Sequence, residues 1–212
     1  MTKHKSLMWE LLRKTAHLSC LLIVVGYTFL MNYFSTKIAL LAITALLLIL
    51  IQMEHIRLEH KPRITILFQD LFRKHEKDNI SGAVFMVISC IICFAAYFYW
   101  VAFLALFMTV FGDLFAALFG KAFGKKVLYN HKTLIGTLAG LTANITVGLL
   151  ILPDFIELVI PMAFTATFVE FMTNKMDDNL TVPLFAGFVG HILVIVMALD
   201  LPPIDFTFLG LF

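Results

Sequence analysis

Seven long apolar blocks follow one another along the chain, at about 17–34, 36–53, 82–99, 101–119, 133–151, 156–174 and 182–199. A helix needs roughly 17–25 residues to cross a ~30 Å hydrocarbon core, and each block comes close to that. None shows the short alternating segments of a transmembrane barrel. The pattern predicts an all-α, polytopic membrane protein of about seven transmembrane helices. Residues 1–16 read as an amphipathic lead-in without the small-residue cleavage site of a signal peptide. The longest polar connection, 54–80, holds Glu54, Arg57, Arg73 and Glu76 among its charges. Between the third and fourth blocks no polar turn intervenes; Tyr97, Phe98, Tyr99 and Trp100 stand there and fit an interfacial aromatic belt. The tail from Leu201, with Pro202-Pro203, is too short to cross again. No linker, repeat or low-complexity tract divides the chain, so residues 1–212 are expected to form one domain.

Composition reinforces the pattern. Hydrophobic residues make up 61% and charged ones 14%, with a mean hydropathy of +0.95, which sets the chain outside ordinary soluble domains. The placement of charge then predicts orientation. With the N-terminus in the cytoplasm, all of the 16 Lys and Arg except Lys37 fall on the cytoplasmic side, while Asp154, Glu157, Asp200 and Asp205 fall on the other. That is the asymmetry of the positive-inside rule. Cys20, Cys90 and Cys93 all lie in apolar runs, and the Cys90-x-x-Cys93 spacing reads as packing rather than as a redox or metal pair.

Four clusters could carry chemistry. In the fourth block Gly112, Ala116, Gly120 and Gly124 recur every four residues, as do Gly136, Gly140, Asn144 and Gly148 in the fifth. Such rows of small residues let two helices approach closely. Asp113 interrupts the first row, and a carboxylate in an apolar helix is costly and marks function or an interhelical hydrogen bond. It shares a face with Gly120 and Lys121. Between the two rows, residues 121–132 hold Lys121, Gly124, Lys125, Lys126, Asn130, His131 and Lys132. Followed by the start of a helix at Thr133 to Gly136, this hinge suits a phosphate cradle or an anchor at anionic headgroups. It lacks the spacing of a P-loop. The third cluster is Glu170 with Asp177, Asp178 and Asn179; hard oxygen ligands from separate segments suit Mg²⁺, and a solvated acidic turn is the plainer reading of Asp177-Asp178. The fourth is Glu10, Arg13, Lys14 and His17, on one helix face, placed to contact headgroups or phosphates. His191, within the seventh block, reads as polar glue.

These residues resemble a known family, the CTP-dependent polyprenol and lipid kinases (dolichol kinase, phytol kinase and CTP-dependent diacylglycerol kinase), and more distantly phosphatidate cytidylyltransferase. The matching stretches are collinear over nearly the whole chain: Glu10 to His17, Glu54 to Leu58, Arg73 to Glu76 with Ser81-Gly82, Gly112-Asp113 through Gly120-Lys121 to Gly124-Lys125, Lys132-Thr133 with Gly136 and Gly140, and Glu170 followed by Asp178-Asn179 and Pro183. Ile135 stands where the family usually has Glu.

The resemblance implies transfer of the γ-phosphate of CTP, with Mg²⁺, to the hydroxyl of a lipid alcohol such as diacylglycerol, phytol or a polyprenol. It implies catalytic roles for Asp113, Glu170, Lys132 and His17. Phosphate or nucleotide binding would fall to Arg13, Lys14, Gly120, Lys121, Gly124, Lys125, Lys126, Lys132, Thr133 and Gly136, and metal binding to Asp113, Glu170 and Asp178. Glu10, Glu54, Arg57, Arg73, Glu76 and Asn179 complete the match. A cytidylyltransferase acting on a lipid phosphate is the nearest alternative, and an ion-coupled transporter using Asp113 and Glu170 is the alternative from another class. No nucleic-acid partner is expected. The expected location is an integral position in a bacterial or archaeal cell membrane, or an endoplasmic-reticulum-type membrane in a eukaryote.

Overall fold

A computed structural model describes residues 18, 20–60, 79–129, 132–173 and 176–204. Seven α-helices and one two-stranded hairpin make up these residues: α1 (Cys20–Tyr33), α2 (Thr36–His60), α3 (Gly82–Ala96), α4 (Tyr99–Phe123), β1 (Val127–Tyr129), β2 (Lys132–Thr133), α5 (Leu134–Ile151), α6 (Ile156–Met172) and α7 (Asp178–Val196). Each helix falls on one of the seven apolar blocks. The aromatic boundary resolves into a break at Tyr97 and Phe98, with Tyr99 and Trp100 already inside α4.

Four helical segments are long and apolar enough to cross a membrane: Thr36–Glu59, Tyr99–Phe123, Leu134–Ile151 and Asp178–Val196. The described parts of α1, α3 and α6 have 14, 15 and 17 residues. At ~1.5 Å per residue they span about 21–26 Å, less than the ~30 Å of a hydrocarbon core. Large apolar side chains face outward around the bundle, among them Leu150 at 78%, Leu22 at 70% and Leu41 at 68% exposure. Apolar surface on this scale fits lipid rather than water as the surrounding medium. The chain is an all-helical membrane protein.

The core divides into two clusters that share α4. Ala102, Leu106 and Val110 pack with α1, α2 and α3, around Val24, Tyr27, Ile43, Met86 and Cys90. Val101, Leu104, Ala105 and Met108 pack with α6 and α7, around Leu158, Val159, Met162 and Ala186. Cys90 and Cys93 are fully buried among these hydrophobes, as their apolar setting predicts. Helix α4 thus stands between the two halves, and the fifth helix closes on it along a seam of small residues.

That seam has the composition read from the sequence. Cβ atoms built at Gly136 and Gly140 would fall 2.7 Å from Ala116 O and 3.2 Å from Ala116 Cβ. One built at Gly112 would meet Asn144 Oδ1 at 2.6 Å. The rows Gly112–Ala116–Gly120 and Gly136–Gly140–Asn144 therefore interlock residue for residue, at a separation no larger side chains permit.

The ends of the bundle are fixed by polar contacts. At one end Tyr97 Oη donates to Leu184 O at 2.9 Å and Trp100 Nε1 to Pro202 O at 2.7 Å. His191 accepts from Phe98 N at 3.4 Å and its ring stacks on Phe98, the gluing role expected of it. At the other end lies the β1–β2 hairpin, together with the end of α6 and the start of α7.

Candidate functional site

The lysine-rich hinge is a β-hairpin rather than a loose loop. Val127 pairs with Thr133 and Tyr129 with Lys132, in antiparallel register. The hairpin leads straight into α5, whose N-cap is Thr133: its Oγ1 accepts from Gly136 N at 3.1 Å. Leu134 N donates to Lys126 O at 3.2 Å. Two of the amides that would otherwise be open to an anion at this helix start are thus already committed. The anion-binding capacity of the region rests instead on ammonium groups, with Lys125 and Lys126 exposed and Lys121 and Lys132 half-buried.

The glycines around the hairpin acquire a definite role. Cβ atoms built at Gly120, Gly124 and Gly136 would lie 3.0, 2.5 and 3.0 Å from Thr133 Oγ1. All three leave the room that the Thr133 side chain takes. Their placement reflects the close approach of α4 to α5 and the capping of α5, and any contact they make with phosphate would come through backbone beside that cap.

One layer of the bundle sets the depth of the acidic residues. Gly112 of α4 faces Asn144 of α5, and Asn144 Nδ2 donates to Thr167 Oγ1 of α6 at 3.1 Å. Asn144 is 1% and Thr167 7% exposed, so the layer is sealed. Along α4, Asp113 lies one residue beyond the layer toward the hairpin, an axial rise of ~1.5 Å. Along α6, Glu170 lies three residues beyond it in the same direction, a rise of ~4.5 Å. Two carboxylates from helices far apart in sequence thus stand within about a turn of one another in depth. Both are 9% exposed.

Lys132 joins this arrangement from the hairpin. Its Nζ donates to Glu170 O, and it lies 3.8 Å from Glu170 Oε1. A cation on the last carbonyls of α6 answers the negative end of that helix. The same ammonium sets one positive charge against a nearly buried carboxylate. Asp178 opens α7 half-buried, and Asp177 caps that helix by accepting from Asn179 N at 2.9 Å.

Of the residues singled out from sequence, the structure brings Lys132 and Glu170 into contact and sets Asp113 at their depth. Lys121, Gly120, Gly124, Lys125, Lys126, Thr133 and Gly136 gather at or beside the hairpin. Glu54, Arg57 and Asn179 form a separate polar system at the same end. Glu10, Arg13, Lys14, His17, Arg73 and Glu76 lie outside the described residues. Thr167 was not singled out from sequence, and Asn144 was read only as a ridge position; a Thr one helical turn before Glu170 was the available signal. Among the described residues no group of three or more His, Cys, Asp or Glu side chains is placed to hold a metal ion. Asp113 and Glu170 supply hard oxygens of the kind that hold Mg²⁺ when most of its shell comes from water and substrate phosphates.

No protein family, characterised protein or solved structure matches the chain. What fold and site define together is a helical membrane protein with carboxylates and a lysine gathered at one end of its bundle.

Proposed function

We propose that the protein is a CTP-dependent kinase that moves the γ-phosphate onto the hydroxyl of a lipid alcohol, at the cytoplasmic surface of a membrane. The observation that carries this reading is the meeting of Lys132 with Glu170, with Asp113 nearly buried at a similar depth, toward the end of the bundle that bears the lysine hairpin. Phosphoryl transfer asks a protein chiefly for in-line placement and charge neutralisation. Here Lys121, Lys125, Lys126 and Lys132 would receive the phosphates. Asp113 and Glu170 would supply carboxylate oxygens to Mg²⁺, whose charge offsets that of the transferring group and whose remaining shell would come from water and phosphate; Asp178, which forms no three-carboxylate cluster with them, takes no ligand role. Asp113 would also orient the attacking hydroxyl and take its proton. The apolar outer surface lets a lipid approach within the bilayer while the nucleotide arrives from water. CTP as donor, and the lipid-alcohol class, rest on the resemblance described above.

A cytidylyltransferase would use similar groups but attack the α-phosphate. Purified protein in phosphatidylcholine vesicles, given Mg²⁺, labelled CTP and a panel of diacylglycerol, phytol, farnesol and a long polyprenol, separates the two. We expect γ-label in one lipid of the panel. Label from the α-phosphate would replace the kinase with a cytidylyltransferase. Cation flux without nucleotide, with no labelled lipid, would replace both with a transporter.

A further inference from the structure

The hairpin end of the bundle carries a second polar system that phosphoryl transfer leaves without a role. Glu54 and Arg57, one turn apart near the end of α2, form a largely buried ion pair. Arg57 Nη2 lies 2.5 Å and Nε 3.2 Å from Glu54 Oε2, and the two side chains are 15% and 11% exposed for Glu54 and Arg57. The pair reaches beyond its own helix. Arg57 Nη2 also donates to Asn79 O at 2.6 Å, and Glu54 Oε2 accepts from Ser81 N at 3.3 Å. Ser81 is the N-cap of α3 and makes no side-chain cap bond of its own, so Glu54 supplies an acceptor at that helix start.

The path continues into α7. The next residue, Gly82, accepts through its carbonyl from Asn179 Nδ2 at 3.3 Å. Asn179 is 3% exposed, and its carbonyl accepts from Ser89 Oγ at 2.7 Å. From α7 the path turns to α6, because Thr181 Oγ1 donates to Asp177 O at 3.2 Å and meets Thr173 Oγ1 at 3.2 Å. Thr173 is the C-cap of α6, directly after the turn that carries Glu170. Hydrogen bonds joined through the backbone of Ser81-Gly82 and of the first turn of α7 therefore lead from the end of α2, by way of the start of α3, to the residues flanking Asp178 and Glu170.

We infer that the Glu54–Arg57 ion pair is a positioning device for the acidic edge of the candidate site. Acting through Ser81-Gly82 and Asn179, it sets where the start of α7 and the end of α6 hold Asp178 and Glu170. This rests on the proposed role of Glu170. The pair itself touches no substrate. Connected polar groups in a low-dielectric interior share their order, and loss of one member loosens the others. The coupling must also be reciprocal.

Hydrogen–deuterium exchange on the full chain in phosphatidylcholine nanodiscs tests this without any substrate. In Glu54→Gln, exchange at residues 177–182 and at Phe171 to Thr173 should rise by ~5–150-fold, the usual span of coupling between sites, with α1 and α5 unchanged. Asn179→Ala should raise exchange at residues 79–84 by a similar factor. Arg57→Lys, which keeps the charge and loses the two-pronged bond, should give a smaller rise at 177–182, and it serves as the readout if Glu54→Gln fails to fold. Increases confined to residues 54–60 and 79–84 would overturn the inference. In the same preparations kcat should fall in the order of the exchange increases, with KM for CTP little changed; raised exchange at 177–182 with unaltered kcat would also overturn it. Wild-type protein without kinase activity would instead defeat the phosphoryl-transfer reading, and the exchange pattern would still decide whether the two helix ends are coupled.

Discussion

Asp113→Asn is expected to leave a folded, membrane-inserted bundle whose phosphoryl-transfer turnover is lower by ~10²–10⁴-fold, the share a positioned proton-transfer group supplies. The side chain is 9% exposed, on the central helix of the bundle, beside the sealed Gly112–Asn144–Thr167 layer. An amide has the shape of the carboxylate and can keep hydrogen bonds at the site. It carries no charge to neutralise a cation and accepts no proton. A buried carboxylate in a membrane segment is costly, so its replacement should leave the unfolding temperature unchanged or raise it. Turnover measured beside thermal unfolding separates the outcomes. Full turnover would remove Asp113 from the chemistry, and joint loss of turnover and folding would reassign it to interhelical hydrogen bonding.

Gly136→Ala is expected to destabilise the protein strongly for a single added methyl group, because it falls inside the α4–α5 seam. The new Cβ would fall 2.7 Å from Ala116 O and 3.1 Å from Gly120 Cα. Both neighbours are backbone, so relief requires the helices to part rather than a side chain to rotate. Overpacking of this kind costs ~1–3 kcal/mol. Separating the helices would also disturb Thr133, whose hydroxyl caps α5 between three glycines. The control is Gly26→Ala, where nothing lies within 4 Å of the added atom. There the gain in helix propensity, up to ~1 kcal/mol, should leave stability equal or higher. Thermal unfolding of the two variants in one detergent reads the difference. Equal unfolding temperatures would mean that the seam tolerates a wider spacing than its geometry implies.

The seam is also the part of the structure most legible in sequence. Small residues at every fourth position, in two apolar segments joined by a short connection, have one efficient use, which is to let those segments touch. Gly112, Ala116 and Gly120 meet Asn144, Gly140 and Gly136 accordingly. The helix positions were legible for a similar reason, since long apolar blocks specify helices wherever lipid leaves backbone groups no other partner. Their lengths were less so. Apolar composition extends past the end of α3 into the Tyr97-Phe98 break, and periodicity does not mark where a helix stops. The hinge read as a phosphate cradle with open amides, whereas it folds as a hairpin in which Thr133 occupies the space the glycines leave. That assignment depends on pairing between Val127 and Thr133, which residue type alone does not encode. The Glu54–Ser81 and Gly82–Asn179 contacts were out of reach for a simpler reason. They join positions 27 and 97 residues apart, and only the packed bundle brings them together.

Acylation of lysines by a water-soluble amine reagent, with and without Mg²⁺ and CTP, tests most directly whether nucleotide sits at the hairpin, and it requires no knowledge of the lipid. Lys121, Lys125, Lys126 and Lys132 should be protected by CTP, as read by mass spectrometry of the peptides. Lys37, in the first turn of α2, should react equally in both conditions. Equal modification of all five lysines with and without nucleotide, at CTP concentrations well above those that support turnover, would contradict the assignment of the hairpin as the phosphate site.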